Sequence, residues 1–144
     1  VTFDPVRSQL LSTGNHELFS SRDIPHEIVD VLAVQQRFLQ QHPQRVRELI
    51  NGWYQALDYF SAQPQAAAEI IGKRWKQSPA GVLAGFSGIQ MPGLEDTQAL
   101  MQGEAGMTAP LIVAGQRLAT SMHRQGMLHE IPDLAPLVQP AYLQ

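Results

Sequence analysis

The sequence predicts an α/β chain that is rich in helix, with two or three short strands and six or seven helices. Three observations lead there. Residues 17–34 pack two apolar runs around a polar break. Residues 43–61 repeat apolar side chains at helical spacing. Proline and glycine punctuate the rest at intervals that suit helix starts and stops.

The first element follows from Asp4-Pro5, since Asp is a favoured N-cap and Pro fits the first helical position. The expected helix runs to Thr13 and stops at Gly14. Residues 17–19 then read as a short strand, and Ser20-Ser21-Arg22-Asp23 as a turn. Pro25 bars helix for Ile24 before it. Ile28, Val29, Val31, Leu32 and Val34 form a β-branched run broken only by Asp30, which suits a strand covered on both faces. Such a strand needs partner strands, and the helical remainder of the chain supplies few.

A short helix over 35–41 carries Phe38 and Leu39, and His42-Pro43 ends it and opens the next. Over 43–61, Val46, Leu49, Ile50, Trp53, Leu57 and Phe60 recur at three- and four-residue steps and give one apolar face. Gln63-Pro64 starts another helix, with Ala66, Ala67, Ile70, Ile71 and Trp75 inward, and Ser78-Pro79 starts one running to Phe86. The Trp53, Trp75 and Phe60 stripe reads as core. Residues 87–93 are loop. A helix over 94–101 ends at Gly103. Thr108 caps a last helix to Gln125, with Leu111, Ile112, Leu118 and Met122 inward. The tail from Met127 carries Pro132, Pro136 and Pro140. Residues 1–34 form one segment, with short strands, and residues 35–144 a second, helical one.

Composition narrows the chemistry. A chain of 144 residues with 44% hydrophobic content suits one ordinary domain, and a net charge of −3 without a basic stripe points away from nucleic acid. No apolar stretch approaches the roughly 20 residues of a membrane span. Cysteine is absent, so disulfides and thiolate-bound metals are excluded. Val1-Thr2-Phe3 is strand-like with no polar lead-in, and reads as an interior position of a longer polypeptide.

His16, His26, His42, His123 and His129 show no metal-ligand spacing, and no phosphate loop, dinucleotide fingerprint or nucleophile elbow occurs. No catalytic, metal or cofactor site is expected. Glu95-Asp96 suits the first turn of a helix better than acid–base work, because adjacent helical residues diverge. Asp30, inside an apolar run, reads as a buried carboxylate held by hydrogen bonds.

Several pieces, in order, resemble the C-terminal half of the periplasmic substrate-binding proteins of ABC importers, in the nitrate/sulfonate/taurine and thiamine-precursor branch. They are Thr2-Phe3-Asp4-Pro5, Ser20-Ser21-Arg22-Asp23-Ile24-Pro25, Ile28-Val29-Asp30-Val31-Leu32, Phe38-Leu39, His42-Pro43, Trp53 with Ala56-Leu57, and Gly126-Met127-Leu128 followed by Asp133-Leu134. The resemblance implies the helix-rich C-terminal portion of a type II periplasmic-binding-protein fold. It implies reversible binding of a small polar or anionic solute between two lobes, a membrane permease as partner, and a periplasmic or lipid-anchored location.

It also implies the site. Phe3 and Asp4 stand where the family has an aromatic-acidic-proline triplet, often with Trp-Glu, so a ring stacks on the solute while a carboxylate accepts its hydrogen bonds. Arg7, one turn on, is a fork-shaped donor for an anion. A half-clamshell on its own exposes strand edges, so pairing with a second copy by strand exchange is expected. Two other function classes stay open. One is a thiamine-pyrimidine synthase-like enzyme, disfavoured because such enzymes use cysteine. The other is a ligand-sensing or interaction module of a signalling protein.

Overall fold

A computed structural model of the chain describes residues 1–3, 6–25, 27–103 and 106–143. These residues hold seven α-helices: α1 (Val6–Ser12), α2 (Gln36–Gln41), α3 (Pro43–Ala62), α4 (Pro64–Trp75), α5 (Pro79–Phe86), α6 (Leu94–Gln102) and α7 (Pro110–Arg124). Three single 3₁₀ turns accompany them, at Ser21–Asp23, Ala135–Leu137 and Pro140–Tyr142.

No strand occurs among the described residues, and this overturns the α/β expectation and its two or three short strands. Residues 17–19 and 28–34 are irregular chain with no ladder. β-branched side chains favour extended backbone, but a strand exists only through a neighbour that shares its hydrogen bonds.

Proline sets the helix starts. Pro43, Pro64, Pro79 and Pro110 each stand at the head of a helix, where the missing N–H costs nothing. Ser78 adds a true cap to α5, its Oγ accepting from the Gly81 N–H at 3.1 Å. At α6 the Asp96 carboxylate accepts from the Gly93 N–H at 3.3 Å. The cap expected from Thr108 is not made. Ala109 is the N-cap of α7, without a side-chain hydrogen bond, and Pro110 makes the start.

The chain divides into two compact units. One comprises Val1–Ser20 and Gly52–Met91, the other Ser21–Asn51 and Pro92–Gln144, so α3 gives its first half to the second unit and the remainder to the first.

In the first unit α4 packs on α5. Ala67, Ala68 and Gly72 are buried on α4, and their small size lets Val82 of α5 reach 1% exposure. A Cβ on Gly72 would stand 2.6 Å from the Gln77 carbonyl oxygen, so only glycine fits that approach. Phe86 meets Phe60 at 4.9 Å between ring centres, tilted by 52°, and stacks on Trp75 at 5.8 Å and 12°.

In the second unit α6 packs on α7 and on the last 3₁₀ turn. Buried side chains are Val46, Ala109, Ala114, Ala119 and Leu143. The tail is fastened at two points. Arg47 Nη1 donates to the Ala141 carbonyl at 2.9 Å, and Gln98 Nε2 donates to the Leu143 carbonyl at 2.9 Å.

The stripe expected as core is only partly covered. Phe60 is half-buried and Trp75 is stacked though exposed, while Trp53 is 54% exposed. Leu49, Ile70 and Leu118, expected inward, are exposed too. Among the described residues Leu18, Phe19, Ile28 and Val31 are exposed as well, so many apolar side chains face water.

Candidate functional site

The three residues expected to meet a solute lie at the start of the first unit. The Arg7 N–H donates to the Phe3 carbonyl at 3.0 Å, the first turn leading into α1. Phe3 is 75% exposed, its ring open to a flat partner. Asp4 lies outside the described residues.

Arg7 is engaged by Glu17. Its Nε and Nη2 both lie 2.7 Å from the Glu17 Oε2, and the two side chains are 34% and 35% exposed. The pair forms because α1 ends at Ser12 and the chain turns at Thr13-Gly14. A solute anion approaching Arg7 must therefore displace a carboxylate that already uses two of its donors. Screening by water keeps such a pair weak, at about 0–1 kcal/mol, so displacement is feasible.

The other polar candidates resolve into structure. Residues 21–23 form a 3₁₀ turn closed by the Ile24 N–H on the Ser21 carbonyl at 3.2 Å. Asp30 is exposed, so the buried carboxylate expected there is a solvated one. Asp96 caps α6 through Gly93. His26 lies outside the described residues, His42 meets the Phe38 ring at 5.0 Å with the planes tilted by 58°, and the His123 Nδ1 lies 3.0 Å from the Leu128 carbonyl. Among the described residues no group of three or more His, Asp or Glu side chains is placed to hold a metal ion.

Some features escaped the sequence entirely. Arg117 on α7 pairs with Glu27, and Arg47 on α3 caps the ring of Tyr142, both across about ninety residues. No spacing rule reaches that far. The first unit carries an open depression of about 480 Å³ beside Glu69, Lys73, Lys76 and Gln77. The second carries one of about 660 Å³ along α7, beside Thr108, Gln116, Arg117, Thr120 and Arg124. Neither is lined by Phe3 or Arg7. No polar or charged side chain is buried among the described residues. What they offer a ligand is surface chemistry, namely an open aromatic face, solvated cations and exposed apolar side chains.

No family model matches this chain, and neither does any curated protein or solved structure. Among the described residues no helix is long and apolar enough to cross a membrane.

Proposed function

We propose that this chain is a helical portion of the solute-binding component of an ABC importer. That component captures a small polar or anionic solute, sulfonate, nitrate or pyrimidine-like, and hands it to a membrane permease on the periplasmic face. No bond is made or broken.

The reading is carried by the ordered pieces from Ser20 to Leu57, and the helices fit them. Phe38-Leu39 lies on α2, His42-Pro43 is the α2–α3 junction, and Trp53 with Ala56-Leu57 lies on α3. The open ring of Phe3 and the solvent-screened Arg7 suit a stacking contact and an exchangeable anion contact.

A second reading, an interaction module of a signalling protein, is favoured by the exposed Leu18, Phe19, Ile28, Val31 and Leu32.

The test is thermal unfolding of the polypeptide translated from the whole reading frame around this segment, with taurine, nitrate and an aminopyrimidine. A solute at about 100 times its dissociation constant stabilises by roughly 2.7 kcal/mol, which raises the midpoint visibly. An unmoved midpoint with all three at millimolar concentration overturns the importer reading.

A further inference from the structure

The middle of α3 is a helical stretch with little cover. Val46 is buried in the second unit, and Phe60 meets Phe86 in the first. Between these anchors Glu48, Leu49, Asn51, Gly52, Trp53 and Gln55 are exposed. Beyond its own helix backbone, nothing lies within 4 Å of the Cβ that Gly52 lacks. Among the described residues the helices that pack closely are α4 with α5 and α6 with α7, and α3 belongs to neither pair. Most helical stability in proteins comes from such packing, so this turn rests largely on its own hydrogen bonds.

The sequence is weakest at the same place. Asn51-Gly52 joins two poor helix formers: glycine loses the most backbone freedom, and the asparagine amide competes for backbone hydrogen bonds. The division between the two units also falls between these residues. With no side chain on Gly52, its backbone nitrogen is unhindered in approaching the Asn51 amide carbon. A closed helix prevents that approach, since the Gly52 N–H is held by the carbonyl four residues back. An open one allows it.

We propose that α3 opens locally at Asn51-Gly52 and that Asn51 is therefore a site of spontaneous deamidation. The Gly52 backbone nitrogen gives up its proton to water and bonds to the Asn51 Cγ, and the side-chain amide leaves as ammonia. Water then opens the five-membered succinimide, giving aspartate or isoaspartate. The sum is one water consumed and one ammonia released. Isoaspartate carries the main chain through its side-chain carboxyl, and the added methylene does not fit helical geometry. Each event thus turns a transient opening into a lasting break in α3. Asn15, the chain's other asparagine, is an internal comparison. It precedes His16, and its Nδ2 donates to the Leu10 carbonyl at 2.9 Å and to the Thr13 Oγ1 at 3.0 Å. This inference is independent of the proposed function.

Two measurements on the full chain test it: residue-resolved amide exchange, and mass spectrometry of tryptic peptides after ageing at mildly alkaline pH. The amides of residues 52–55, whose hydrogen bonds span the opening, should be at least about tenfold less protected than those of 57–60. The peptide holding Asn51 should gain the mass of amide-to-acid conversion before the peptide holding Asn15 does. Gly52→Ala should raise the 52–55 protection about fivefold, the ratio set by the two helix propensities. It should slow deamidation by the same factor once each rate is divided by that of its own guanidinium-unfolded chain, which removes the intrinsic effect of the added methyl. Equal protection along 52–60 overturns the proposal. So does an Asn51 that stays intact while the unfolded chain converts, or a normalised rate that Gly52→Ala leaves unchanged. If Gly52→Ala alters the helical circular dichroism, the exchange profile and the Asn51 rate of the parent chain decide alone.

Discussion

The guanidinium of Arg47 lies 5.0 Å from the centre of the Tyr142 ring, while its Nη1 donates to the Ala141 carbonyl at 2.9 Å. One side chain near the start of α3 thus fixes the last turn of the described chain by two different forces. Arg47→Ala is expected to cost about 1–2 kcal/mol in denaturant unfolding, from the lost charged hydrogen bond and the lost ring contact. Limited proteolysis should then cut near Pro140 first. Tyr142→Leu keeps the carbonyl bond and is expected to cost about 0.5–1 kcal/mol.

Two glycines should respond in opposite directions. Gly72→Ala forces a Cβ to within 2.6 Å of the Gln77 backbone oxygen, and should lower stability by about 1–3 kcal/mol. Gly52→Ala, inside α3 with nothing within 4 Å of the new atom, should raise it by about 0.5–1 kcal/mol. Paired thermal melts read the contrast directly.

The ring cluster of the first unit makes Phe86 its centre. Phe86→Ala removes both the Phe60 and the Trp75 contacts, and should cost about 2–3 kcal/mol, below the range for a fully buried ring. Trp75 loses its stacked neighbour, so the emission spectrum should shift to the red. An unchanged spectrum would mean the stack does not persist in solution.

Ser78→Ala removes the side-chain cap of α5 and should cost about 1 kcal/mol. Ser78→Asp should retain the cap and most of the stability.

Glu17 separates structure from binding at the Arg7 pair. Glu17→Gln should change stability by less than about 1 kcal/mol, because the pair is partly exposed and screened. If Arg7 contacts an anionic solute in the whole protein, the same variant tightens binding and Arg7→Ala weakens it. Isothermal titration that finds both variants equal to the parent would remove Arg7 from the site.

The helices were legible because their signals are local. Pro43, Pro64 and Pro79 each mark a helix start, and the spacing from Val46 to Phe60 shows one continuous face. Pro110 carries the same signal, whereas Thr108, a favoured cap type two residues earlier, makes no cap. The 28–34 run misled, since β-branched residues report an extended backbone and say nothing of whether a partner is present. Trp53 shows the matching limit for helices. Periodicity tells which residues share a face, and only a neighbouring element decides whether water reaches them. Of the candidate site, Phe3 and Arg7 were legible as residue types, but not the Glu17 carboxylate that occupies Arg7.

Among the described residues, five of the eight buried apolar ones are alanines, at positions 67, 68, 109, 114 and 119. Alanine scanning is blind at such positions, since there is almost nothing left to truncate. The chain's steric tolerance is instead one-sided: added bulk is the hazard, and Ala68→Leu should cost about 1–3 kcal/mol where the helices have no room to part. Variants of this chain that drift in sequence without unfolding should therefore change freely on its large apolar exterior, while its smallest side chains stay small.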